Sequence, residues 1–233
     1  SAKPQLETQT TVGNYFVSNY PPFSFWQPDA VPEVMDAMER APDEGTPLGL
    51  YLHIPFCRKR CHFCYFRVYT DKNASEIQSY LDVLASEWEL YAKQPAIAGR
   101  PLSFVYFGGG TPSFLSVRQL EGLVKRLEMV TPWSTAEEIT FECEPGTLTR
   151  PKLAAIRALG VTRLSLGIEH FDDHILELNG RAHRSAEIFR AYDYARSLEF
   201  PQINIDLIAG MLGETDEKWQ AAVTQTLKLK PDS

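Results

Sequence analysis

The sequence predicts an α/β domain whose parallel sheet is covered by helices on its outer side. Five short β-rich runs, at 48–54, 103–107, 138–142, 163–168 and 203–208, alternate with longer amphipathic stretches. The stretches repeat apolar residues at three- and four-residue steps, the period of a helix with one buried face. The residues able to do chemistry fall just after the runs, and parallel α/β sheets bind ligands at the carboxyl ends of their strands.

Residues 1–46 have little regular pattern and hold an aromatic cluster, Tyr15, Phe16, Tyr20, Phe23, Phe25 and Trp26, interrupted by Pro21 and Pro22. They read as an arm that packs its rings on the main domain or lines the mouth of a substrate site. A short helix is expected at 31–39 and a loop at 41–46. The main domain then occupies 47–233. Within 74–93, Ile77, Leu81, Leu84, Trp88 and Tyr91 share one helical face. The helix at 115–129 opens with Ser116 and Gln119 at capping-box spacing. Helices at 151–159, 186–197 and 216–229 complete five strand–helix units. The sequence ends at Pro231-Asp232-Ser233, where a further strand would follow, so the sheet is expected to be a partial barrel cut before its last strand.

Composition sets the outer limits. The 233 residues are 44% hydrophobic and 23% charged, enough to bury a core, and the formal charge of −7 gives no broad basic face for nucleic acid. No apolar run approaches the roughly 20 residues of a membrane span. The start, Ser1-Ala2-Lys3-Pro4, lacks the apolar core of a signal peptide, so a cytoplasmic protein is expected.

Four cysteines in such a chain do not make a disulfide framework. Cys57, Cys61 and Cys64 lie within eight residues, whereas Cys143 sits alone in an apolar strand. The C-x3-C-x2-C spacing lets one loop present three thiolates to different irons of a cubic cluster, leaving the fourth iron open to a small molecule. A zinc site completed by His53 or His62 is the competing metal reading. Arg58, Lys59 and Arg60, between the first two cysteines, either lower the thiol pKa values or form a solvated basic loop.

The strand ends repeat the theme. Gly108-Gly109-Gly110-Thr111-Pro112 follows the second run, Glu142 and Glu144 end the third, Glu169 and His170 the fourth, and Asp206 lies in the fifth. All are expected to converge on one opening.

Together these motifs resemble the radical S-adenosylmethionine superfamily. Tyr51-x-His53-Ile54-Pro55-Phe56 ahead of the cysteines narrows the resemblance to the branch typified by oxygen-independent coproporphyrinogen III oxidase. Ser18-Asn19-Tyr20-Pro21-Pro22, residues 163–169, Asn179-Gly180-Arg181-Ala182-His183 and residues 204–208 are similar to that branch as well. The resemblance implies a partial (β/α)6 barrel and a [4Fe–4S] cluster on Cys57, Cys61 and Cys64. It also implies reductive cleavage of S-adenosylmethionine to a 5′-deoxyadenosyl radical, with an electron donor such as flavodoxin or ferredoxin and a small-molecule substrate. By the same resemblance Tyr51, Gly109 and Glu142 touch the cluster-bound S-adenosylmethionine. Phe63, Gly110, Thr111, Glu169, Arg181 and Asp206 match positions that hold a second one in some members. Residue by residue, Glu142 could be a strand-end salt bridge, and Arg181 and Asp206 structural ion-pair residues.

Two departures stand out. Glu169 occupies a position where the family usually has glutamine, and Phe66 one where the decarboxylating oxidase has a further cysteine. Phe66 argues against tetrapyrrole decarboxylation and favours methylation or cyclopropanation of an unactivated carbon. A haem-binding chaperone is the remaining alternative within the branch.

Overall fold

The computed structural model describes residue 25 and residues 27–233. Five strands, β1 (Gly49–Ile54), β2 (Phe104–Gly109), β3 (Glu138–Cys143), β4 (Arg163–Glu169) and β5 (Gln202–Leu207), lie side by side in chain order, all parallel. The helices are α1 (Val31–Met38), α2 (Ala74–Tyr91), α3 (Val117–Val130), α4 (Arg150–Ala158), α5 (Asp173–Leu178), α6 (Ser185–Ser197) and α7 (Asp216–Leu229). Sequential parallel strands joined through helices form a (β/α) barrel left open between β1 and β5. The expected partial α/β barrel is what the chain folds into. Of the aromatic arm, Tyr15, Phe16, Tyr20, Phe23 and Trp26 lie outside the described residues, and Phe25 is exposed.

Side-chain alternation divides the sheet into two faces. Leu50, Leu52, Ile54, Val105, Phe107, Ile139, Phe141, Leu164, Leu166, Ile168, Ile203 and Ile205 are buried in one continuous core with α2, α3, α4 and α6. The intervening positions form the inner face: Tyr51, Tyr106, Thr140, Glu142, Ser165, Glu169, Asn204 and Asp206. This face is polar because it lines the barrel interior and needs no helix to cover it.

Local chemistry sets the element ends. Asn73 caps α2 and Ser116 caps α3, each in a capping box, the second as its spacing predicts. Thr149 and Thr215 cap α4 and α7. Helix α5 departs from the sequence expectation, which had none between the fourth run and 186. It is six residues long, too short to show a helical period, and is held by the Asp172 side chain accepting from the His174 and Ile175 N–H groups. Beyond α7, the Asp232 N–H donates to Ile203 O and the Ile205 N–H to Ser233 O, both at 2.9 Å, so residues 232–233 extend the ladder beside β5.

The turn after α5 fixes the cysteine loop. Gly180 has φ +78, and a Cβ there would stand 2.9 Å from the His62 ring. His62 donates its N–H to Asn179 O at 3.0 Å, and its Nδ1 lies 3.0 Å from Leu178 O. Gly180→Ala is expected to destabilise the protein by about 1–2 kcal/mol, from the left-handed backbone and the displaced ring. A urea-unfolding midpoint equal to wild type would contradict this.

Candidate active site

The carboxyl ends of the strands open onto a cavity of about 220 Å³. Cys57, Cys61 and Cys64 form one wall, and Gly109, Gly110, Thr111, Glu142, Glu169, Arg181, Asp206 and Phe63 line the rest. Of the expected site residues Tyr51 stands apart, half-exposed on the inner face of β1. It is linked to the site through the Tyr106 ring, stacked on its own at 5.8 Å between centroids.

The cysteine loop leaves β1 and returns beside its own start. The Cys57 N–H donates to Tyr69 O at 3.0 Å, and the Tyr69 N–H to Pro55 O at 2.8 Å. Within the loop a turn brings the Cys64 N–H to Cys61 O at 3.2 Å. Thr111 Oγ1 donates to Cys57 Sγ at 3.2 Å, and Arg181 Nη1 to Cys61 Sγ at 3.4 Å. Donors aimed at sulfur suit thiolate ligands, whose charge they offset. Gly110 presses against Cys57: a Cβ there would come within 2.9 Å of Sγ and 3.1 Å of the Ile54 and Phe56 carbonyl oxygens. Burial pushes the Cys57 thiol up, so a bound metal must supply the deprotonation.

The histidines of the zinc reading lie elsewhere. Neither His53 nor His62 lines the cavity. His53 Nδ1 is hydrogen-bonded to the Tyr51 hydroxyl at 3.1 Å, and His62 Nδ1 to Leu178 O. Among the described residues no group of three or more His, Cys, Asp and Glu side chains could hold a single ion. Three thiols on one wall, two of them already receiving hydrogen bonds, fit a [4Fe–4S] cluster.

Across the cavity Glu142 accepts from the Tyr106 hydroxyl at 2.7 Å and the Gly109 N–H at 3.2 Å. Burial raises its pKa despite those donors. Among the described residues it enters no ion pair, so the strand-end salt-bridge reading does not hold there. Tyr51 is pushed up to about 12 by burial and by the Glu142 charge, and stays a neutral phenol.

Glu169 ends β4 with φ +67, at a bulge between Gly167 and Glu169. Its carboxylate lies 3.8 Å from Arg181 Nη2, which also donates to Gly167 O. Asp206 accepts from Ser165 Oγ at 3.0 Å and Asn204 Nδ2 at 2.7 Å. Arg181 is thus an ion-pair residue and a sulfur donor at once, while Asp206 is held by neutral donors.

His170 departs from expectation. Alternation past Ile168 and Glu169 places it on the helix side, where it is 2% exposed, does not line the cavity, and meets Glu214 at 3.4 Å. Tyr106, Ser165 and Asn204 were missed by sequence reasoning. Register pairs Glu142 with Ser165, and alternation puts Tyr106 on the inner face, so strand pairing was the available signal.

Burial, with Asp206 and Glu142 adding to it, outweighs Arg181 and pushes Glu169 up to about 7 from an ordinary 4.5. The native state therefore holds this proton more tightly than the unfolded chain does. The associated stability is full below pH 4.5 and is lost as pH rises to about 7. Glu169→Gln should flatten this decline, on the order of 1–3 kcal/mol, in metal-free protein. Parallel stability–pH curves for wild type and variant would contradict the assignment.

An open parallel α/β barrel with a cysteine-walled cavity at its strand ends defines a class of iron–sulfur proteins. The chain belongs to the Radical SAM superfamily, whose sequence profile matches residues 51–225. It is 34% identical over 198 residues to the oxygen-independent coproporphyrinogen III oxidase of Escherichia coli, covering 85% of this chain and 42% of that protein. It is 35% identical over 181 residues to the heme chaperone HemW of Bacillus subtilis, covering 77% and 47%. The structure of the E. coli coproporphyrinogen III oxidase, HemN, described as a Radical SAM enzyme, superposes with a TM-score of 0.77 at 31% identity over 93% of this chain and 49% of that one. The chain spans about half the length of the relatives it matches.

Proposed function

We propose that this chain binds S-adenosylmethionine against a cluster held by Cys57, Cys61 and Cys64, and uses a second S-adenosylmethionine to methylate or cyclopropanate an unactivated carbon. The division of charge in the cavity supports this most. Arg58, Lys59, Arg60 and Arg181 stand around the cysteines, Arg58 paired with Glu144 and Arg181 with Glu169, while Glu142 and Asp206 occupy strand ends with no cation paired to them among the described residues. An anionic thiolate cluster suits the first side and a sulfonium cation the second.

Held by Cys57, Cys61 and Cys64, a cluster would supply the electron for reductive cleavage of the sulfonium to a 5′-deoxyadenosyl radical, with an electron donor such as flavodoxin or ferredoxin to recharge it. The chain's residues bind and orient. Gly109 and Gly110 let a ligand approach the backbone closely. Glu142, fixed by Tyr106, accepts from hydroxyl or amino groups or faces the sulfonium. Tyr51 backs the Tyr106 ring. Glu169, Arg181 and Asp206 form a second charged position beside Phe63, Gly110 and Thr111. Phe66 supports alkyl transfer over decarboxylation, since the decarboxylating oxidase that these motifs resemble has cysteine there.

The likeness to coproporphyrinogen III oxidases favours a second reading, oxidative decarboxylation of a tetrapyrrole. The likeness to HemW favours a third, haem binding without turnover. Incubation of the reduced protein with methyl-labelled S-adenosylmethionine and candidate acceptors separates them. Label in the acceptor is the expected result. Carbon dioxide release from a tetrapyrrole without label transfer would establish the second reading instead. A haem Soret band with no S-adenosylmethionine consumption would establish the third.

A further inference from the structure

At the edge of the cavity, beside the cysteine loop, lies a buried pair to which no ligand-binding role has been given. His183 is 0% exposed, and Glu144, just past β3, has a side chain 9% exposed. His183 Nδ1 lies 3.0 Å from Glu144 Oε1, and Nε2 lies 3.2 Å from Ile168 O at the end of β4. Glu144 Oε1 also accepts from the Gly146 N–H at 3.1 Å. Burial alone would raise its pKa, but His183, Arg58 and Arg181 outweigh that and hold it below the usual range.

The same carboxylate reaches forward to the residue after Cys57. Arg58 Nη2 donates to Oε1 at 3.3 Å, and Nε lies 3.3 Å from Oε2. Two guanidinium nitrogens on two oxygens fix direction as well as distance. Only the Arg58 end of this pair is partly exposed, so closing it costs less side-chain entropy than joining two surface chains. The cysteine loop is tied to the barrel at Cys57, whose sulfur accepts from Thr111 Oγ1, and at His62, whose N–H donates to Asn179 O. Among the described residues, the polar contact that ties 58–60 to the rest of the domain is the one to Glu144. It also neutralises one of three consecutive cations that repel one another.

We propose that Glu144, held by His183, is a latch that grips Arg58 and sets the cysteine loop before any cluster is present. Arg58, Glu144 and His183 are then positioning residues. The proposal rests on Cys57, Cys61 and Cys64 being the cluster ligands, but the latch itself is readable without iron.

The test uses the 233-residue chain, metal-free and anaerobic, as wild type, Arg58→Met, Arg58→Lys and Glu144→Gln. Amide hydrogen exchange across 57–66 is the first readout. The second is the electron paramagnetic resonance spectrum after reconstitution with ferrous iron and sulfide and reduction. Arg58→Met alters a partly exposed loop side chain, so the fold should survive. It and Glu144→Gln are expected to speed exchange at 58–61 about tenfold while β4 is unchanged, and to shift the spectrum. Arg58→Lys should bring exchange back to within about threefold of wild type. Wild-type exchange at 58–61 in Arg58→Met would overturn the latch. Should Glu144→Gln lose protection throughout, Arg58→Met alone decides. A wild-type chain that takes up no iron and sulfide would overturn the cluster assignment, and hydrogen exchange would still judge the latch.

Discussion

Replacement of Cys57, Cys61 or Cys64 by alanine should each lower iron after anaerobic reconstitution from about four per chain to near zero. S-adenosylmethionine cleavage should fall with it by at least about 1,000-fold. The sulfurs are not interchangeable, since Cys57 is pinned by Thr111 and Gly110 and Cys61 by Arg181. Cys143 supplies the control. It is buried, and its thiol is directed at Phe141 O. Cys143→Ala should keep its iron, at a packing cost of about 1 kcal/mol. Iron analysis and 5′-deoxyadenosine assay check both halves. Full iron in Cys57→Ala, or none in Cys143→Ala, would contradict the ligand assignment.

Arg181→Met should produce the largest stability loss among the cavity residues, about 3 kcal/mol by denaturant unfolding of metal-free protein above pH 7, where Glu169 is ionised. Arg181 and Glu169 have side chains only 11% and 12% exposed, so removal of the cation strands a buried carboxylate. The loss should be partly recovered in the Arg181→Met/Glu169→Gln double variant, because glutamine carries no charge to strand. Additive effects of the two substitutions would show that the pair is not coupled. Arg181→Met should also disturb Cys61, whose sulfur loses its donor.

Legibility in the sequence followed the range of each interaction. Strands were readable because Leu50, Leu52 and Ile54 alternate with polar neighbours, and α2 because Ile77, Leu81 and Trp88 recur at helical spacing. Capping of α3 by Ser116 is local and was visible. Helix α5 was not, since six residues carry too little periodicity. The cysteine wall was found through motif spacing, which records what one loop can present, and Glu142 through its place at a strand end together with the family resemblance. Tyr106 under Glu142, and Ser165 and Asn204 around Asp206, depend on strand register and emerge only from the folded sheet. His170 was grouped with Glu169 as a strand-end residue, although alternation puts neighbouring residues on opposite faces and so sends it to the side of Ile168. Arg58 could be read as a solvated loop cation until Glu144 was found beneath it.

By the reading proposed above, this barrel holds a cluster able to split S-adenosylmethionine. Anaerobic reconstitution with iron and sulfide, followed by reduction in the presence of S-adenosylmethionine, tests it most directly. A brown protein with about four irons that releases 5′-deoxyadenosine is the predicted result. A colourless protein holding one zinc per chain and releasing none would contradict it.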